Sequence, residues 1–174
     1  KPLIVCDDGN AKHQFIHADD VALAFAGILG KKNCIGQNYI LTTSGFTTWI
    51  EYHKIAMKVI GREVELVGVP FSDLEILNIP SFDLCRNIFS HHSHYLCKKL
   101  MDDVPEFRPK ISLESGMRQV IDLMDKTNKI PNSEHVNYWE DQIIKSKKIG
   151  QPLKKINKSF SFKIRKIFSK IRKK

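Results

Sequence analysis

The acidic residues of this chain stop at Asp141, and that boundary separates a stretch that can fold from one that cannot bury itself. All 19 Asp and Glu lie at or before it, whereas 13 of the 28 Lys and Arg lie from Lys145 onward. The body before Lys145 therefore carries 15 basic against 19 acidic side chains, a net charge of −4, and the last thirty residues carry +13. The overall charge of +9 belongs to the tail and says nothing about what the body binds. With 174 residues in all, the body is one mildly acidic domain, long enough to bury a core. Cys6, Cys34, Cys85 and Cys97 form no CxxC pair and no disulfide framework. Together with the absence of a signal peptide, this predicts a reducing, cytoplasmic setting. No apolar run approaches the roughly 18 residues that a membrane span needs.

Along the body, strand and helix signals alternate. Leu3–Cys6 is a short apolar run stopped by Asp7-Asp8-Gly9-Asn10, and Phe15–His17 reads as a second short strand. Asp20 stands where an N-cap belongs, ahead of a helix that runs from Val21 to Leu29 and stops at Gly30. Asn38–Thr42 reads as a buried strand. Thr48-x-x-Glu51 is a capping box that opens a helix ending at Gly61. Val64–Val69 alternates as a strand and is closed by Pro70. The pattern then weakens to a short helix at Ser72–Leu77. Ser112 caps a last helix whose Leu113, Met117, Val120, Ile121 and Met124 share one face. The expectation is an α/β domain with a thin sheet, whose helices carry apolar faces suited to packing against something outside this chain. The boundaries read as 1–128 for the domain, 129–150 for a linker or peripheral segment, and 151–174 for the tail.

Two clusters invite chemistry and do not sustain it. Cys85, His91, His92, His94 and Cys97 are metal-ligand types, but adjacent His91-His92 cannot easily face one ion and the common zinc spacings are missing. Tyr95-x-x-x-Lys99 has the spacing at which a lysine lowers a phenol's pKa for proton transfer. It lies in the wrong part of the chain for that role, as the resemblance below makes clear. No residue is assigned as catalytic or as a metal ligand. Trp49 and Trp139 read as packing residues.

The tail has its own pattern. Leu153, Ile156, Phe160, Ile164, Ile167, Phe168 and Ile171 fall on one helical stripe about 120° wide, with Lys and Arg around the rest. Such a basic amphipathic helix suits an anionic bilayer surface, where each cation contributes on the order of 1 kcal/mol. The predicted surface contacts are Lys163, Arg165, Lys166, Phe168, Lys170 and Arg172. Nucleic acid is disfavoured as a partner, because phosphate would leave the apolar stripe without a use.

Four segments, in order, resemble the extended short-chain dehydrogenase/reductase family of NAD-dependent epimerases and dehydratases. Phe15-Ile16-His17-Ala18-Asp19-Asp20-Val21-Ala22 is similar to "fIHvdDvA", and Tyr39–Thr42 with the Thr48 helix resembles "yNitg…tt.eey". Val64–Pro70 matches a short strand ending in "vP". Val104–Arg118 resembles the closing "lgf.P..sleeGir". The resemblance implies the C-terminal, substrate-binding portion of a Rossmann-type protein. Most of the nucleotide-binding half, with its glycine-rich loop and Tyr-x-x-x-Lys pair, would then precede Lys1. That missing half becomes a partner, NAD or NADP is implied for the full-length protein with none bound by this part, and a homodimer is a further implied possibility.

The family's catalytic pair precedes its substrate motifs, whereas Tyr95 and Lys99 follow them. The resemblance also implies substrate contacts. Where many members place a diphosphate-binding arginine, this chain has His13, with Lys12 beside it, and an imidazole is a poorer diphosphate partner than a guanidinium. Arg86 stands near a second such position. His17 is expected to hold the segment by a hydrogen bond, and Asp20 to act as a helix cap and not as a general base. The reading is a small-molecule enzyme part, acting on a nucleotide-sugar or related metabolite, cytoplasmic and peripheral at the inner face of a membrane. The alternative is a non-catalytic binding module of the same descent, tethered to a membrane or to nucleic acid.

Overall fold

Two apolar tetrapeptides far apart in sequence pair with each other. β1 (Leu3–Cys6) and β4 (Leu66–Val69) run parallel, in register from Leu3 opposite Leu66 to Cys6 opposite Val69. The computed structural model of the chain describes residues 1–77, 79, 82–131 and 138–150. Between the paired strands lie β2 (Lys12–His13), α1 (Ala18–Ile28), β3 (Thr47–Thr48) and α2 (Trp49–Ile60). After them come α3 (Phe71–Leu77), α4 (Phe82–Leu84) running into a π-helical turn at Cys85–Phe89, α5 (Lys98–Asp103), α6 (Leu113–Lys126) and α7 (Tyr138–Lys148). β2 and β3 form a second, antiparallel pair, with Lys12 opposite Thr48 and His13 opposite Thr47.

The helix ends follow the cap chemistry. Thr48 Oγ1 accepts from the Glu51 N–H at 3.2 Å while Glu51 Oε2 accepts from the Thr48 N–H at 2.8 Å, closing both halves of the capping box of α2. Gly61 takes the left-handed conformation (φ 70°) that ends this helix. Ser112 Oγ accepts from the Ser115 N–H to open α6. Each such cap contributes about 1 kcal/mol.

Two separate apolar clusters hold the body together. The first gathers Val69, Leu74, Leu77, Ile79, Phe82, Cys85 and Ile143 around the parallel strands. The second gathers Ala24, Cys34, Cys97, Leu100, Val104 and Phe107 between α1 and α5. Each fully buried Leu, Ile or Phe contributes roughly 1.5–3 kcal/mol. Gly68 lies where the sheet meets the Asp7 turn, and a Cβ there would collide with the Asp7 carbonyl. Leu23 and Phe25 on α1, Leu29 at its C-cap, and Val120 and Leu123 on α6 are exposed.

Four local expectations are corrected. Phe15–His17 is not a strand: Phe15 turns its ring onto Tyr52 at 4.9 Å, and His17 becomes the N-cap of α1, its Nδ1 accepting from the Asp19 N–H at 3.2 Å. Asp20 is therefore not the cap. It sits inside the first turn, 1% exposed, and accepts from the backbone N–H groups of Lys110 and Ile111, both at 3.0 Å. Its carboxylate ties α1 to the segment that leads into α6. Asn38–Thr42 forms no ladder with any described strand; the Lys99 ammonium on the Asn38 carbonyl and the Tyr39 hydroxyl on Asp103 hold it instead. Finally, the segment expected as a linker or peripheral piece, 129–150, contains α7, whose Ile143 is buried in the first cluster. Lys1–Asp141 (2.7 Å), Lys148–Glu65 (3.6 Å) and the Lys147 ammonium on the Gly68 carbonyl fasten α7 to the sheet. In that Lys-rich helix Trp139 and Ile143 stand four residues apart on one face and join the first cluster. The tail residues singled out from the sequence, Lys163, Arg165, Lys166, Phe168, Lys170 and Arg172, lie outside the described residues.

Candidate functional site

The site grows from β2. Lys12 donates its N–H to His92 Nδ1 at 3.0 Å, and its carbonyl accepts from the Ser93 N–H at 2.7 Å, so residues 92–93 lie along β2 like a short extra strand. Gln14 then acts as a staple. Its Nε2 donates to the carbonyls of Thr43 (2.8 Å) and Tyr95 (3.1 Å), and its Oε1 accepts from the Tyr95 N–H at 2.6 Å. One amide side chain thus joins the 38–46 loop to the 90–97 loop. At the other end of the first loop, Lys99 Nζ donates to Gln37 Oε1 (2.7 Å) and to the Asn38 carbonyl (3.3 Å).

A cavity of about 490 Å³ opens between these loops, lined by His13, Gln14, Ile40, Leu41, Thr42, Ser93 and Tyr95. His13 forms part of the floor. Its ring lies 4.4 Å from Trp49, in an aromatic cluster that continues through Phe15, Tyr52 and Phe89. Both His13 Nε2 and Trp49 Nε1 are buried and lack a hydrogen-bond partner. A buried polar atom left unpaired costs about 1–3 kcal/mol. Burial holds the imidazole's pKa below the ordinary histidine value; a hydrogen bond to the Ile88 carbonyl opposes that shift, and His92 nearby reinforces it.

The other large cavity, about 340 Å³, is a groove between α2 and α6. Phe15, Ile16, Ala56, Ile111, Leu113, Met117, Val120 and Ile121 make it apolar; its polar liners are Tyr52, His17 and Ser112, the last two serving helix caps. It offers little for orienting a reacting group.

Of the substrate contacts expected from the sequence, the structure brings His13 to a cavity wall. Lys12 precedes it but lays its ammonium 4.1 Å over the Phe46 ring. Arg86 is elsewhere, paired with Glu75 Oε1 at 2.7 Å and stacked over Phe82. Gln14 and Thr42 were not anticipated, and only the position of Gln14 beside His13 could have pointed to it. The metal-type residues also disperse. Cys85 and Cys97 enter different cores, His92 is bound to Lys12, and His94 meets Phe46 edge-on. Among the described residues no group of three or more His, Cys, Asp or Glu is placed to hold a metal. Tyr95 stands in a loop ahead of α5, so it and Lys99 share no helix face.

The N-termini of α1, α2 and α6 are closed by His17, Thr48 and Ser112 and carry Asp19, Asp20, Glu51 and Glu114 in their first turns. A pyrophosphate needs bare N–H groups and no acid at such a place. Among the described residues no helix is long and apolar enough to cross a membrane.

No family model and no curated protein matches the chain. Solved structures do. A UDP-glucose 4-epimerase from Thermotoga maritima, with UDP-glucose, superposes at a TM-score of 0.55 and 22% identity over 73% of this chain and 36% of its own. A dTDP-glucose 4,6-dehydratase from Bacillus anthracis, in complex with NAD, does so at 0.51 and 18% over 77% of this chain and 36% of its own. The RMD protein from Pseudomonas aeruginosa, complexed with NADPH, gives 0.55 and 16% over 72% and 36%. The fold is that of part of a Rossmann-type epimerase/dehydratase. The chain spans about a third of the length of these structures, and at such identities the likeness speaks for the fold alone.

Proposed function

We propose that this chain is the C-terminal, substrate-binding part of a longer NAD(P)-dependent epimerase/dehydratase-like oxidoreductase that acts on a nucleotide-sugar or related metabolite. The observation that carries the reading is the likeness of this chain to about a third of each of these structures. The remainder of the protein would hold NAD or NADP, since the N-termini of α1, α2 and α6 are already closed. In this reading Lys12 and His13 lie on the substrate side, and Arg86 reaches a substrate only by releasing Glu75. The exposed apolar side chains of α1 and α6 supply a face for the missing Rossmann half or for a second copy. The basic stripe of 151–174 supplies attachment to an anionic membrane surface from the cytoplasmic side.

Two experiments test this. Reading the coding sequence upstream of Lys1 should give a glycine-rich loop followed by a Tyr-x-x-x-Lys pair. A start codon directly before Lys1 would favour the non-catalytic binding module instead. Fractionation of cells expressing the chain with and without residues 151–174 should move the protein from membranes to supernatant, and equal partition of both forms would refute the attachment.

A further inference from the structure

The groove between α2 and α6 is a trough with apolar walls. Ala56 contributes from α2, and Met117, Val120 and Ile121 from α6, where Val120 is 52% exposed. Two helices set side by side make the usual seat for a third, which lays apolar anchors spaced three or four residues apart into the trough.

The described chain ends near this groove. Lys148, in the last turn of α7, reaches Glu65 Oε2 at 3.6 Å, and Glu65 follows closely on Gly61, the C-cap of α2. The segment between them folds back onto α2: the Arg62 N–H donates to the Met57 carbonyl, and the Val64 N–H to Met57 Sδ at 3.4 Å. Met57 is the neighbour of the groove residue Ala56. Residues 151–174 therefore set out from the C-terminal end of one groove wall.

Their sequence suits the trough. Leu153, Ile156, Phe160 and Ile164 stand at i, i+3, i+7 and i+11, which is the anchor spacing of a helix laid in a groove. As a helix, residues 153–164 would be about 18 Å long, the length of the 12-residue α2. Charge favours the same pairing, since the body carries −4 and the last thirty residues +13. On α6, Asp122 and Asp125 are exposed and make no ion pair among the described residues.

We propose that residues 153–164 of this chain's own tail dock as a helix in the groove between α2 and α6, so that one apolar stripe serves either the groove or an anionic bilayer. The competition rests on the membrane attachment proposed above; the docking does not. A docked tail must leave the groove before it can bind a surface, so its apparent affinity for the bilayer is lowered by the fraction held.

The test uses the full ¹⁵N-labelled chain and vesicles of phosphatidylcholine and phosphatidylserine in equal parts. Phe160→Asp should shift the amides of Ala56, Met117 and Ile121 and leave those of Gln14, Ser93 and Tyr95 in place. Val120→Gln changes a half-exposed residue outside both apolar clusters. It should shift the amides of Phe160 and Ile164 and tighten vesicle binding about fivefold, because a partly buried valine carries part of the hold. Groove amides unmoved by Phe160→Asp would overturn the docking and leave the groove to a partner or to sequence upstream of Lys1. Groove shifts that grow with protein concentration would assign it to the tail of a second copy and overturn the proposal too. Equal vesicle affinity of wild type and Val120→Gln would overturn the competition. Groove shifts without vesicle binding by either form would support the docking and refute the membrane attachment.

Discussion

The two cavities differ in how they are built more than in how large they are. The groove between α2 and α6 is two amphipathic helix faces set side by side, and its walls are legible as periodic apolar residues. The cavity at His13 is built from two loops and a two-residue strand, held by side chains that bond backbone groups tens of residues away. Helix faces supply apolar contact area, and stapled loops supply oriented polar atoms. That contrast is why the stapled loops, and not the groove, are proposed as the substrate side.

The largest way to break the comparison is through Asp20. Its carboxylate satisfies the Lys110 and Ile111 N–H groups, and Ile111 and Ser112 line the groove. Asp20→Ala should cost about 3 kcal/mol in urea unfolding, since two charge-assisted bonds are lost together. Perturbed amide shifts should centre on the groove and not on His13. A loss under about 1 kcal/mol would mean that the tether is dispensable.

Gln14→Ala is the matching cut at the other cavity. It frees the Thr43 and Tyr95 carbonyls and the Tyr95 N–H on a partly wet surface, where water replaces some of what is lost. A stability loss of about 1–2 kcal/mol is expected, with faster amide exchange at Tyr95. Unchanged exchange would show that the loops hold without the staple.

The pH dependence gives a smaller effect. Burial holds the pKa of both His13 and His53 below the ordinary value of 6.5. The unfolded chain therefore takes up more protons than the folded one as pH falls through 6.5. Their contribution is present above that value and is lost as acid protonates the rings. Urea midpoints should fall from pH 7 to pH 5.5, and His13→Phe should flatten the slope. A slope that His13→Phe leaves unchanged would place the acid sensitivity elsewhere. The smallest effect belongs to Lys58–Glu114, 2.7 Å apart and linking α2 to α6. Lys58 is largely exposed, so Lys58→Ala should change stability by less than about 0.5 kcal/mol. A larger loss in the same urea assay would mean that the groove depends on its rim as well as its walls.

What the sequence disclosed follows the same division. Helices α2 and α6 were legible because their caps are local: Thr48 with Glu51, and Ser112 with Ser115. β1 and β4 were legible as apolar runs, although their pairing was not. Asp20 was misread because its true partners lie ninety residues on, and a carboxylate before an apolar helix looks the same whether it caps its own turn or another segment's. Asn38–Thr42 has strand composition without a strand neighbour, and composition does not reveal the neighbour. His13 was noticed only through a resemblance, as a departure from arginine. It packs against Trp49 and lies near Ile88, neighbours that no spacing rule joins to it.

The assignment of the substrate to the stapled loops meets its most direct test in amide shift mapping of the ¹⁵N-labelled chain titrated with UDP-glucose. Shifts concentrated at Gln14, Thr42, Ser93 and Tyr95, with Ala56, Met117 and Ile121 unmoved, are the predicted result. Shifts concentrated in the groove, or none at saturating ligand, would contradict it.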